Sequence, residues 1–401
     1  MNTFAALKEL SAAAFDARVE EPVLVIESDD WGMSGVPSRD VYDELVSAGV
    51  FPAAIPWYRD ALESPEDLDR LYAVLCGVRD HTGRPAQLTA NFIMSNPDAG
   101  RLLSGGAAAE CFITLPELCE RDGQAGRLRA KWAEGVELGV LRPEYHGLYH
   151  LDVDELDRAL RHRDERVTKI LRAGARPAGM TDGVDRRFLS EHLQRGRRRD
   201  GAEDRQRQLA IVKRGTEAFR RLFGRAPAAV VAPHCLWNDD TEWAWSECEI
   251  RYVQWARRRP DARRLRTLAR PGAFRMGAPG GYGLTYLDRN CRFEPSVFPE
   301  DTAERALRQV ESAFETERPA VISMHRINIS GAVDPRARDR SLALLESVLC
   351  AVVARYPNVR FLNSAELGGL LTEGGRRVGL SAGVRRVLRR LGLGLRRRWS
   401  S

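Results

Sequence analysis

Asp29 and Asp30 close an apolar run, "VLVIESDDWG" at residues 23–32, and two carboxylates in succession at the end of a candidate strand are the first sign of chemistry in the chain. Adjacent residues at a strand end point different ways, so one carboxylate can bind a metal ion while its neighbour faces water as a general base. A single Asp there would read as a turn former or helix cap. Further on, "RPEYHGLYHLD" (142–152) sets His146 and His150 four apart, a spacing that lets one helical turn, or a loop of similar pitch, aim both imidazoles at one point. Two histidines and one carboxylate complete a three-ligand catalytic metal site with a position left open for water. H-x-x-x-H alone also fits two histidines on a helix surface; its conjunction with the acid pair is what gives it weight. His234 follows the run "AAVVAP", and His325 ends "PAVISMH". His234 suits a pocket rim, where it touches substrate or orients Asp29, or a structural place on a backbone carbonyl. His81, His162 and His192 lie in polar surroundings and carry no expected role.

The elements that must position these residues are seven candidate buried strands: 22–28, 87–94, 135–141, 228–233, 250–255, 319–325 and 359–364. Helical patterns lie between them, such as "SRDVYDELVSAG", with Ser38 as N-cap and Gly49 as terminator, and "DRSLALLESVLCAVVARYP", which ends before Pro357. Continuous apolar strands alternating with helices predict a mostly parallel sheet, covered on both faces or closed into a barrel. Catalytic groups in such folds collect at the carboxyl ends of the strands, where the acid pair and the four singled-out histidines fall. "APGGYGLTYLDRN" (278–290) lacks the spacing of a phosphate loop and is expected to be a turn or lid.

The chain has 401 residues, 43% of them hydrophobic, ample for a sizeable core. Seven scattered cysteines, never spaced C-x-x-C, speak against a disulfide framework or a cysteine zinc site. Glu9, Asp16 and Arg18 interrupt the N-terminal stretch where a signal peptide needs an apolar core, so a cytoplasmic location is expected. The net charge of +6 comes from the tail: residues 376–401 hold nine arginines and no acid, leaving the rest mildly acidic. That is a poor profile for a nucleic-acid-binding fold, whose basic patch lies on the folded surface. The charge-dense stretches 193–207 and 256–270 are expected to be solvated surface.

In order, strand-"DD", "HGLYH", "AVVAPHCLW" and "VISMH" resemble the metal-dependent polysaccharide deacetylases of the NodB-like family, with their Asp-Asp, H-[ST]-x-x-H, R-x-P and L-x-H motifs. The resemblance spans about 22–367 and implies a distorted (β/α)7 barrel holding one divalent ion, zinc or else cobalt, nickel or iron. It implies Asp29 as general base, Asp30, His146 and His150 as metal ligands, and His325 as the acid that protonates the leaving group. The chain departs from the pattern at Glu27-Ser28 (Thr-Phe in the family), at Gly147 (Ser or Thr) and at Val231, where an arginine is expected; the downstream Asp-Trp motif has no clear counterpart.

The expected organisation is therefore a helical lead-in over 1–21, a catalytic barrel over 22–370 and an Arg-rich tail over 371–401. The expected activity is metal-assisted removal of an acetyl group from a sugar, a lipid-linked glycan or a glycosylated metabolite. Tyr145, Trp237 and Trp255 offer flat surfaces for sugar stacking or belong to the core. "TYLDRNCRFEPS" (285–296), with Arg289 and Asn290, is expected at the substrate-binding rim. Two alternatives remain: a glycoside hydrolase on a related barrel, pairing Asp29 with Asp239, Asp240 or Glu294, and a non-catalytic carbohydrate-binding protein. In the tail, Val384, Val387, Leu388, Leu391 and Leu395 share one side of a helix with arginines opposite, a pattern suited to peripheral contact with an anionic membrane.

Overall fold

Among the described residues, nine strands form one sheet in which every pairing is parallel. The computed structural model describes residues 17–177, 190–192, 201–255 and 275–373. Residues 1–16 of the expected lead-in, 193–200 and 256–270 of the charge-dense stretches, and the tail beyond residue 373 lie outside the described residues.

The strands are β1 (Val23–Trp31), β2 (Leu88–Ile93), β5 (Leu141–Gly147), β6 (Ala229–Val230), β7 (Tyr252–Trp255), β8 (Thr285–Asp288), β9 (Cys291–Arg292), β10 (Ala320–His325) and β11 (Arg360–Phe361). Their order is β8-β7-β6-β5-β2-β1-β10-β9, with β11 beside the start of β1. β3 (Ser95–Pro97) and β4 (Phe112–Thr114) form a separate antiparallel pair. The two ends of the main order, β8 and β9, are separated only by Arg289 and Asn290. One bent segment therefore pairs with β7 along its first half and with β10 along its second, and it closes the sheet into a distorted seven-stranded barrel. Backbone bonds continue through the bend: Arg289 N–H donates to Trp255 O (2.6 Å) and Phe293 N–H to Ser323 O (2.9 Å).

Alternation along the strands sorts two cores. Leu24, Ile26, Leu88, Ala90, Phe92, Tyr145, Val230, Val253, Ile322 and Met324 face outward and pack under the helices. Val23, Val25, Ala229, Tyr252, Leu287 and Val321 face inward and meet Leu367 and Leu371 of the helix Ser364–Glu373. Above this apolar floor the inward positions turn polar: Glu27, Thr89, Asn91, Gln254 and Arg289 are all buried. The site stands on that polar layer.

Two expectations about elements change. Residues 135–137 finish the helix Gly123–Glu137, and Gly139, at φ 72°, turns the chain so that β5 begins only at Leu141. The expected turn or lid at 278–290 contains a strand, β8. Its charged continuation, Asp288 to Arg292, hides it from any search for apolar runs. The helix after β1 runs Arg39–Ser47 as expected, with Ser38 Oγ accepting from Val41 N–H.

Candidate active site

β1 bulges where the acid pair sits. Ser28 pairs with Ala90 and Trp31 with Phe92, so Asp29 and Asp30 together stand opposite Asn91 alone. The extra residue puts Asp30 at φ 73° and lets both carboxylates reach the barrel mouth instead of opposite faces. β5 shifts register at the equivalent level, between Tyr145 and Gly147, and so re-aims His146. Both strands thus deform where Asp30 and His146 stand.

Asp30 Oδ1 lies 3.3 Å from His146 Nε2 and 3.2 Å from His150 Nε2. His146 Nδ1 donates to Val231 O at 2.9 Å, because a carbonyl can only accept; this orients the ring with Nε2 toward Asp30. Burial holds the His150 imidazole below its ordinary pKa, against the pull of Asp30, so it stays neutral at pH 7. Asp30 Oδ1 is buried and has no hydrogen-bond donor. Asp30, His146 and His150 thus converge as a candidate cation site. Ligand atoms bound to one tetrahedral ion at ~2.0–2.1 Å stand about 3.3–3.4 Å apart, which matches the two measured distances and fits zinc or a similar ion.

Asp29 faces the barrel axis. Arg289 Nη1 and Nη2 reach its two oxygens at 2.6 and 2.7 Å, and Asn91 Nδ2 donates to Oδ1 at 2.8 Å. Arg289 Nε donates to Glu27 Oε2 (2.6 Å), and Nη2 also reaches Gln254 Oε1 (2.6 Å). Burial would raise the Asp29 pKa, but the Arg289 charge and hydrogen bonds outweigh it and hold the carboxyl well below the usual range. Arg289 thus clamps Asp29 from the barrel seam, with Glu27 as its second carboxylate.

His325, beside Asp29 in the β1–β10 register, places Nε2 3.9 Å from Asp29 Oδ2. Its Nδ1 bonds Glu294 Oε1 at 2.5 Å, and Asn328 Nδ2 donates to Glu294 Oε2 at 2.6 Å. Burial alone would lower the His325 pKa; the Glu294 carboxylate reverses this and raises it to about 9. Trp57 stands edge-on to the imidazole, 4.8 Å between centroids, with Phe298 beyond it, and both rings are half-buried. Next in sequence, the buried Arg326 bonds Asp60 and Glu63, and Glu63 in turn accepts from Gly32 N–H, bracing the loop after the acid pair.

No family model and no curated protein matches the sequence. Solved structures similar to the chain include a peptidoglycan deacetylase from Bacillus subtilis (8% identity, 93% of this chain and 96% of that one, TM-score 0.37). They also include a CE4 family pseudoenzyme from Bacillus anthracis (7%, 87% and 66%, TM-score 0.37) and a 4-alpha-glucanotransferase from Thermococcus litoralis (11%, 90% and 41%, TM-score 0.46). At these values, function must rest on the chain's own residues. The closed parallel barrel with its ordered strand-end motifs decides the fold. It is a distorted parallel (β/α) barrel.

In this barrel several residues expected at the substrate rim lie elsewhere. Tyr145, next to His146, points to the opposite side of β5 and is wholly buried against Gly215, where a Cβ would come within 2.1 Å of its hydroxyl. Trp237 and Trp255 pack on one another at 5.1 Å in the core, and Trp237 Nε1 donates to Glu242. Arg289 is the clamp on Asp29. The Asn290 amide joins the seam to β10 through Pro319 O and Val321 N–H. His234, half-buried at φ 54°, sets its ring 4.7 Å from that of His150. Sequence reasoning missed the roles of Glu294 and Trp57. Asp239 and Asp240 occupy the first turn of the helix Asp239–Glu247, and Glu294 is engaged with His325, so the paired-carboxylate alternative finds no free partner for Asp29 in them.

Proposed function

We propose that the chain is a metal-dependent hydrolase that removes an acetyl group from an N- or O-acetylated sugar or glycoconjugate. The observation that supports this most is the meeting, at one barrel mouth, of the Asp30–His146–His150 cluster with a clamped carboxylate and a carboxylate-backed imidazole. An ion held by that cluster supplies Lewis-acid polarisation of the acyl oxygen and lowers the pKa of water toward ~7.

The chain's own residues divide the proton work. Asp29, kept ionised by Arg289, takes the proton of the attacking water. Glu294 accepts from His325 Nδ1–H and raises the ring's pKa to about 9, so at pH 7 the imidazolium carries a second proton on Nε2, which it delivers to the leaving amine or alkoxide. Trp57 and Phe298 supply a half-exposed aromatic wall beside His325 on which a sugar face can stack. In a cytoplasmic setting the substrates within reach are lipid-linked glycans, nucleotide sugars and glycosylated metabolites; no described helix is long and apolar enough to cross a membrane.

The test is acetate release from acetylated members of those three classes, with and without a chelator and with zinc restored. Release that stops with the chelator and returns with zinc supports the reading. Sugar binding without acetate release by zinc-loaded protein would make the chain a binding protein instead.

A further inference from the structure

The loop that delivers His150, residues 147–150, is shaped by a carboxylate from elsewhere in the chain. Glu191 lies 41 residues beyond His150 and is buried, with 2% of its surface exposed. Its Oε1 accepts the N–H of Leu148 at 3.0 Å, and its Oε2 accepts those of Tyr149 and His150 at 2.6 and 2.9 Å. The loop carbonyls are also held: Ser95 Oγ donates to Leu148 O (2.6 Å), Arg176 to Tyr149 O, and Met94 N–H to Gly147 O (3.0 Å). Glu191 has its own support, since Arg207 Nη1 and Nη2 donate to the carbonyls of Glu191 and His192.

Two features of the loop follow from this cradle. Gly147 stands at φ 125°, and a Cβ there would come within 2.7 Å of Glu191 Oε1, so the Ser or Thr of the family pattern does not fit. His150 takes φ 55°, a conformation that a residue with a Cβ keeps only when its surroundings over-determine it. Three consecutive N–H groups on one buried carboxylate do so.

We infer that Glu191 is a positioning residue of the metal centre: it moulds the 147–150 loop so that His150 Nε2 meets Asp30 and His146 before an ion arrives. The inference rests on the reading of those three residues as a metal site. Without Glu191, three buried N–H groups lose their acceptor, the loop relaxes away from φ 55°, and the third ligand is no longer preset. Outer partners that orient a ligand typically change metal affinity 10–100-fold.

The experiment uses the full chain and the variants Glu191→Gln and Glu191→Ala. The zinc Kd is measured by competition with a chromophoric chelator, and Tm is recorded for metal-free and zinc-loaded protein. Gln keeps one acceptor and turns an amide N–H toward the loop, so about tenfold weaker binding is expected; Ala removes both acceptors, and about 100-fold is expected. A merely structural residue would lower both Tm values equally, whereas a positioning residue shrinks the increment that zinc adds. A wild-type Kd and zinc increment in Glu191→Gln overturns the inference, and that variant decides alone if the Ala variant does not fold. Wild-type protein that takes up no zinc overturns the metal-centre reading and this inference with it.

Discussion

Arg289 grips both oxygens of Asp29 from the bend between β8 and β9, while its Nε bonds Glu27 on the same β1 strand. A lysine cannot copy this fork, because an ammonium is a point charge that makes no planar bidentate contact. In Arg289→Lys, kcat for acetate release is expected to fall about 100-fold, within the range usual for loss of a general base, with metal content unchanged. The acid limb of the rate profile moves as well. Arg289 depresses the Asp29 pKa, so weakening it raises that pKa, and the base becomes protonated at a higher pH. An acid limb that stays put would show that Asp29 is not the base.

Glu294 acts on the opposite limb. Its carboxylate raises the His325 pKa to about 9, so the acid is lost as pH climbs through that region. Glu294→Gln removes the raising charge, and the alkaline limb of kcat/KM is expected to move to lower pH. Stability follows the same sign: the contribution of the raised His325 pKa is complete below the unfolded value near 6.5 and is lost as pH rises through about 9. Urea unfolding of wild type at pH 6 and pH 10, set against Glu294→Gln, should show a larger loss for wild type.

Much of this site can be read from residue order alone, for a definite reason. Asp29, Asp30 and His325 end apolar strands, and His146 and His150 follow at a ligand spacing, so local pattern and chemistry coincide. Arg289, Glu294 and Glu191 are hidden because each acts on a partner distant in sequence, at separations of 260, 31 and 41 residues. No local pattern marks such a pairing. Arg289 also sits in the charged bend between β8 and β9, so a search for apolar runs passes over it.

The two adjacent aspartates should separate cleanly. Asp29→Asn keeps the ligands and is expected to retain close to one metal per chain while activity falls by about 10²–10⁴. His150→Ala removes a ligand and is expected to lose the metal. Metal analysis beside acetate release checks both; an empty Asp29→Asn protein would mean that the two carboxylates have exchanged roles.

Two aromatic residues offer a contrast between core and surface. The Tyr145 hydroxyl is buried without a partner, so Tyr145→Phe should leave KM unchanged and leave stability equal or slightly higher. Trp57→Ala should raise KM about three- to tenfold with metal content intact, the scale of one lost stacking contact. A raised KM in the Tyr145 variant would return that ring to the substrate wall.

The barrel seam has a consequence for how the molecule comes into being. Chains emerge from the ribosome N-terminus first. Asp30 lies on β1, His146 on β5 and His150 just beyond it, with β2 between the two strands, so the three candidate ligands and Glu191 are all synthesised within the first 191 residues. The groups that govern proton transfer, Arg289, Glu294 and His325, come about a hundred residues later, on the segment that closes the barrel and the strand beside it. Under the proposed reading, a nascent chain thus has every ligand for an ion well before it has the means to hydrolyse anything.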